Sequence, residues 1–245
     1  MKLKAFVKTT KGNFPNQNFY MAWKGFTETG YDVIKFEEEE LDDPKFWETC
    51  TIETPVFAGV TIFDKVMEKL EITYKKIDTY PTVLWPYMHR SVEKGILAQV
   101  EIDWNIKPFK KFMKPVNQKV FNGAVMNTML DWIPLINTPK NTEVYLTDPI
   151  DFLSEFRIYI QDQEIIQGKH YAGDWSKMID VSVVEDAIRT FKEEAPVAYA
   201  LDFGLTNDGK TALVEFNDFT SLGNYGLDTI HYSEMIVARW FEITH

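Results

Sequence analysis

The sequence predicts an α/β unit followed by an α+β region of mainly antiparallel strands. Strand-like and helix-like stretches alternate through the first third of the 245 residues, the rhythm of a small parallel sheet with crossover helices. From Lys110 onward longer alternating stretches flank short turn sequences, the pattern of antiparallel hairpins. At 45% hydrophobic residues, a chain of this length buries enough surface to need no covalent staples.

Lys2 to Lys8 alternates as a strand. Gln17 to Thr29 sets Phe19, Trp23 and Phe26 at helical spacing, and Gly30 is the expected C-cap. Tyr31 to Phe36 is strand-like again, and the run Glu37 to Glu40 reads as a solvated edge. Asp43-Pro44 has the form of an N-cap followed by proline at the first helical position, ahead of Phe46 and Trp47. Val56 to Val60 is a short strand, after which Phe63, Val66, Met67 and Leu70 line one helix face. Pro81, Trp85, Pro86 and Tyr87 mark a connection, so a boundary is expected between 78 and 100. We divide the chain into an N-terminal α/β domain, 1–90, and a second domain, 91–245.

Glu155 to Gln161 and Ile165 to Tyr171 alternate around Asp162-Gln163 and predict a hairpin. Ser182-Val-Val-Glu185 has capping-box spacing and opens a helix with Val184, Ala187, Ile188 and Phe191 inward. Val197 to Gly204 and Thr211 to Phe216 flank Asn207-Asp208-Gly209, the strongest hairpin signal in the chain. A last helix is expected over Ser233 to Phe241.

Charge and composition exclude several roles. Lys and Arg number 26 against 37 Asp and Glu, a formal net charge of −11. Such a balance argues against nonspecific binding to nucleic acid or an anionic membrane, which needs clustered cations. The single cysteine, Cys50, rules out an internal disulfide framework or a cysteine metal cage. The N-terminus lacks a signal-peptide apolar core, and no apolar run approaches the ~18 residues of a membrane span. A soluble protein of a reducing cytoplasm is the expectation.

The last hairpin carries the strongest chemical signal. If Asp208-Gly209 form a two-residue turn, residues whose numbers sum to 417 face each other, so Asp202 lies opposite Glu215. Asn217, two positions on, shares the face of Glu215 because strand side chains alternate. Two carboxylates and an amide suit a hard cation such as Mg²⁺, or else form the polar face of an ordinary hairpin. On that reading Asp202 and Glu215 repel each other when no ligand is bound. Lys114 closes an apolar strand segment and Lys119 sits in the loop after it, where two ammonium groups can clamp polyphosphate. Glu155 and Arg157 share a strand face; Arg157 either offsets phosphoryl charge or makes a cross-strand ion pair.

The order Lys114-Pro, Lys119-Val-Phe-Asn-Gly123, Glu143-Val-Tyr-Leu146, Glu155-Phe-Arg157, Asp202, Glu215-Phe-Asn217-Asp and Ser221-Leu-Gly-Asn-Tyr-Gly226 resembles the ATP-grasp superfamily. More narrowly, it is similar to the small bacterial and phage branch known for one arginine and two lysines. The resemblance spans about Lys110 to Leu227. It implies an ATP-grasp fold of two subdomains with mainly antiparallel sheets and a hinge near 143–148, preceded by the α/β domain. By the same resemblance Lys114 and Lys119 contact the nucleotide phosphates, with Lys119 in a flap-like loop. Glu143, Tyr145 and Leu146 belong to the hinge that meets adenine, and Glu155 contacts the nucleotide. Arg157 is the branch's arginine, catalytic together with Lys119. Asp202, Glu215 and Asn217 hold Mg²⁺, and the loop Gly223 to Gly226 lies near the acceptor.

The implied activity is ATP-dependent joining of a carboxylate to an amine through an acyl phosphate, on an amino acid or peptide. A kinase on the same scaffold and a nucleotide-binding module without turnover are the alternatives. The implied partners are ATP and Mg²⁺ with a small carboxylate and amine, in the host cytoplasm if the protein is phage-encoded; monomer and homodimer both stay open. The long glycine-rich loop of larger relatives is missing, which shifts phosphate closure onto the lysines. His89, His170, His231 and His245 show no metal-ligand spacing, Cys50 has no activating base nearby, and Arg90, in His89-Arg-Ser91, is a further candidate to reach a substrate carboxylate or phosphate.

Overall fold

In the computed structural model, which describes residues 3–117 and 120–245, the N-terminal region is a three-stranded parallel sheet with helices. Strand β1 (Lys4–Lys8) is central, with β2 (Asp32–Phe36) on one side and β3 (Val56–Phe57) on the other. Lys2, where the first strand is expected to begin, lies outside the described residues. Helix α1 (Gln17–Glu28) starts at Asn16, whose side chain accepts from the Asn18 amide, and ends at Thr29. Gly30 follows at φ +91°, so it serves as the expected stop.

Three expectations in this region need correction. The strand from Val56 is only two residues long, because Gly59 turns the chain at φ +73° and α2 (Val60–Lys69) begins at once. The acidic run is more than a solvated edge. Glu37 accepts from Thr9 Oγ1 (2.9 Å) and from the Lys11 and Gly12 amides (3.1 and 2.7 Å), and Glu40 in turn accepts from the Glu37 amide (2.7 Å). These bonds tie the end of β2 to the turn after β1. Behind Asp43-Pro44, residues Phe46–Glu48 form a single 3₁₀ turn rather than a helix.

A 3₁₀ segment (Thr82–Met88) leads to β4 (Val92–Ile96), α3 (Leu97–Ile106), β5 (Lys111–Pro115), β6 (Ala124–Met126) and β7 (Glu143–Thr147). They form an antiparallel sheet in the order β4-β7-β5-β6. Residues 148–151 then cross to a second antiparallel sheet. It contains β8 (Phe152–Gln161), β9 (Glu164–Gly173), β10 (Ala198–Thr206) and β11 (Thr211–Asp218), in the order β11-β10-β8-β9, with α4 (Val181–Phe191) between β9 and β10. Asp162 and Gln163 take φ +52° and +69°, the two-residue turn that the hairpin needs. Helix α4 is capped by Asp180, which accepts from the Ser182 amide, so the cap lies two residues before the expected one. Helix α5 (Thr229–Thr244) starts at the Asp228 cap and outruns the predicted Ser233–Phe241 at both ends. Among the described residues no helix is long and apolar enough to cross a membrane.

The last hairpin differs from the arithmetic in two ways. Thr206 and Lys210 close the loop (Thr206 amide to Lys210 carbonyl, 2.9 Å), leaving three residues in it, with Gly209 at φ +79°. Near this loop the paired numbers sum to 416, as in Leu205 with Thr211 and Phe203 with Leu213. A bulge between Asp202 and Phe203 then leaves Val214 unpaired and restores Asp202 opposite Glu215.

Alternating residues of this sheet feed two cores. Tyr199, Leu201, Phe203, Leu213 and Phe216 pack with Leu84, Met88 and α4. Tyr159, Ala198 and Ala200 pack on the opposite face with Ala5, Val7, Phe19 and Phe26 of the N-terminal region and Tyr232 of α5. Helices α1 and α5 touch at Gly25, where a Cβ would lie 2.0 Å from the Thr229 carbonyl oxygen. Leu213 and Phe216 share a face although they are three positions apart, which only the bulge allows.

Candidate functional site

On the face of the second sheet that looks toward the N-terminal region, the alternation breaks from apolar to charged. Arg157 precedes buried Tyr159 by two residues on β8, and Asp202 follows Ala200 by two on β10. The ladder sets Arg157 directly opposite Asp202 and Asp202 opposite Glu215, so three strands deliver three charged groups in one row. Arg157 donates from Nε and Nη2 to the two Asp202 oxygens at 2.7 and 2.6 Å, with the residues 5% and 2% exposed. Burial pushes the Asp202 carboxyl up, while Arg157 draws it down. Asn217 donates to Asp202 Oδ2 at 3.3 Å. From the facing sheet Lys114 donates to Glu215 at 2.8 Å, its ammonium 4.0 Å from the Tyr80 ring centre.

Five predicted residues therefore converge: Lys114, Arg157, Asp202, Glu215 and Asn217. The expected repulsion between Asp202 and Glu215 is offset, because each carboxylate already holds its own cation. Of the two readings of Arg157, the structure shows the cross-strand ion pair, made with Asp202, the carboxylate expected to hold metal. Arg157, Glu215 and Asn217 line a cavity of about 1260 Å³ that runs between the two sheets and reaches Asn16, Phe19 and Thr61 of the N-terminal region.

The remaining predicted residues sit differently. Glu143 is exposed and borders the cavity. Tyr145 is buried and donates its phenol to Asp78, and Leu146 is 9% exposed in an inner strand of its sheet. The β7 backbone is laddered on both sides, to β4 and β5. Glu155 accepts from Tyr171 at 2.8 Å; burial, with the Asp202 and Glu155 charges, pushes that phenol up and keeps it a neutral donor. Lys119 lies outside the described residues. Arg90 is turned away from the cavity: it donates to the Leu213 and Val214 carbonyl oxygens at 2.8 and 2.9 Å. Cys50 is buried and its thiol is pushed up to about 12 by desolvation, which accords with an inert role.

The contacts of several site residues carry no local signal in the sequence. Tyr225, at φ +41° in the loop Gly223 to Gly226, places its ring 4.4 Å from the Arg157 guanidinium and stacks on Tyr171 at 5.1 Å. A tyrosine plate of this kind needs a strand and a distant loop together, so no local spacing reveals it. Asp78 and Thr79 fall in what reads as linker. Thr79 accepts from the Phe216 amide at 3.0 Å through its carbonyl, and its own hydroxyl is buried on the cavity wall without a partner.

Whether these residues suit a magnesium nucleotide can be tested on the donor set. Asp202, Glu215 and Asn217 supply hard oxygen atoms, and the orphaned Thr79 hydroxyl is a group a polar ligand would satisfy. Among the described residues no three His, Cys, Asp or Glu side chains form a metal cage, so phosphate oxygens and water would have to complete the shell. The set fits.

Comparison with known proteins bears on the family and the fold. A sequence model described as ATP-grasp domain, R2K clade family 2, matches residues 87–235. No curated protein matches the sequence. In fold, the chain is similar to D-alanine–D-alanine ligase from Bacillus anthracis complexed with ATP, with a TM-score of 0.60 at 14% identity over 100% of this chain and 98% of that one. It is also similar to the ATP-grasp ligase PsnB complexed with a minimal precursor, at TM-score 0.54 and 10% identity over 98% and 100% of the two chains. The D-cycloserine synthetase DcsG gives 0.58 at 11% identity over 97% and 99%. At these identities the likeness is one of fold.

Proposed function

The chain belongs to the ATP-grasp family, and from that premise we propose that it is an ATP-dependent carboxylate–amine ligase. The carrying observation is the row of two cations and two carboxylates that borders, through Arg157 and Glu215, a cavity large enough for a nucleotide and a second substrate. In the reading we favour, Lys114, Lys119 and Arg157 are the two lysines and the arginine of the small bacterial and phage branch. Glu143, Tyr145, Leu146 and Glu155 serve the nucleotide, and Asp202, Glu215 and Asn217 hold Mg²⁺. Residues 1–90 are the preceding domain and 91–245 the grasp, in a cytoplasmic enzyme.

Arg157 and Lys114 would exchange their carboxylate partners for phosphate oxygens when nucleotide enters, freeing Asp202 and Glu215 toward the metal. Mg²⁺, when bound, supplies charge neutralisation on the phosphate oxygens. The substrate carboxylate attacks the γ-phosphorus of ATP and expels ADP, and the amine then attacks the acyl carbon, expelling phosphate and losing a proton. No protein nucleophile is required, and the basic groups stabilise developing phosphoryl charge. The precursor peptide bound by the ligase PsnB, and the D-alanine named in the D-alanine–D-alanine ligase, support a similar substrate class here.

Two measurements test the proposal. MgATP at ~100 times its dissociation constant should stabilise the fold by about 2.7 kcal/mol, so an unchanged melting midpoint at millimolar MgATP counts against it. ADP release across a panel of amino acids and peptides should require carboxylate and amine together. Release with one substrate that leaves a phosphorylated product would identify a kinase; nucleotide binding with no release under any pairing would identify a binding module.

A further inference from the structure

Strand β11 holds Glu215 on the site face only because Val214 is bulged out of the ladder. Without the bulge the 416 register of the loop end would run on, Val214 would oppose Asp202, and Glu215 would turn to the other side of the sheet. Something must therefore hold a defect at the edge of the sheet, next to the assigned metal ligands. The sequence offers no glycine or proline there to do it.

Arg90 is the group that meets the bulge. Its Nη1 donates to Leu213 O at 2.8 Å and its Nη2 to Val214 O at 2.9 Å. In a regular strand successive carbonyls point to opposite sides, so one guanidinium cannot span two neighbours. A bulged residue near the helical region turns them toward the same side, and the fork of Arg90 matches that arrangement. Nη1 also reaches Met88 O at 3.3 Å, and the guanidinium lies 5.7 Å from the Tyr80 ring centre. Tyr80 in turn lies beneath the Lys114 ammonium. Arg90 touches neither the cavity nor the charged row, yet it holds the strand segment from which Glu215 projects.

We propose that Arg90 is a positioning residue: it clamps the β11 bulge and thereby sets the register that presents Glu215 beside Asp202. The role in metal binding rests on the ligase reading above, whereas the clamp itself does not. The experiment titrates Mn²⁺ in the presence of ADP, followed by electron paramagnetic resonance, in wild type, Arg90→Met, Glu215→Gln and the double variant. Amide hydrogen exchange at residues 213–216 is followed alongside.

Arg90→Met should weaken Mn²⁺ binding by about tenfold or more, the usual cost of removing a group that orients a metal ligand. In the Glu215→Gln background the same change should add little, because the two act through one side chain. Amides 213–216 should lose protection while those of β8 keep theirs. Unchanged Mn²⁺ affinity in folded Arg90→Met, or equal weakening in both backgrounds, overturns the positioning role. If Arg90→Met does not fold, Arg90→Lys, which reaches one carbonyl, should show intermediate exchange, and wild-type protection there overturns the clamp. If wild type binds no Mn²⁺ with ADP, the ligase reading fails and the exchange result alone judges the clamp.

Discussion

At the scale of single residues, the site is a neutral quartet when empty: Lys114 with Glu215 and Arg157 with Asp202. The two pairs differ in depth, and depth sets what their removal costs. Asp202→Asn strands a buried guanidinium and should cost about 3–5 kcal/mol in urea unfolding, whereas replacing Arg157 and Asp202 together by Met and Leu should recover most of it. Glu215 is about one-third exposed but its partner Lys114 only 10%, so Glu215→Gln, which keeps an amide oxygen for the ammonium, should cost about 1–3 kcal/mol, less than Asp202→Asn, while abolishing turnover. An Asp202 loss no larger than that of Glu215 would show the buried pair to be unimportant. Arg157→Ala should lower both turnover and stability, since the same guanidinium serves the ion pair. Cys50 gives a separate test. With its thiol pushed up to about 12, roughly one molecule in 10⁴ is thiolate at pH 8. Ellman's reagent should therefore label the protein only on unfolding, and fast labelling of the native state would contradict the buried assignment.

At the scale of elements, what was legible followed local chemistry, and what was not followed contacts distant in sequence. Asp202 does face Glu215, but by two departures that cancel: the loop has three residues rather than two, and Val214 is bulged. Val214 is an ordinary strand residue, and its partner Arg90 lies 124 positions away, so no spacing could report the bulge. Helix α4 shows the same limit. Asp180 and Ser182 are both good caps by type, and the choice between them comes from Thr211, whose hydroxyl oxygen accepts from the Asp180 amide at 2.7 Å. Asp180→Ala should thus cost about 1 kcal/mol and Ser182→Ala clearly less, a difference measurable by thermal unfolding. Equal losses would mean that the cap is shared. The α/β rhythm, the parallel sheet and both hairpins were readable because each depends on periodicity and turn residues near in sequence.

At the scale of the molecule, the two antiparallel sheets are buried unequally. The β8–β11 sheet carries a core on each face, one of them shared with the N-terminal region, while Leu97, Trp104, Met113, Trp132 and Val144 make a separate, smaller cluster for the other sheet. Amides of β5 and β6 should therefore exchange with solvent well before those of β8 and β10, by sub-global opening. Uniform protection across both sheets would contradict that division. The same shared core has a consequence for synthesis. Gly25, on the buried face of α1, packs directly against Thr229 and Ser233 of α5, which is made roughly two hundred residues later. At 5–20 residues per second the ribosome needs roughly 10–40 s to supply that cover. For that interval the nascent chain leaves the α5-facing side of α1 open to solvent, a window in which chaperone capture competes with misassembly and which slower translation would lengthen.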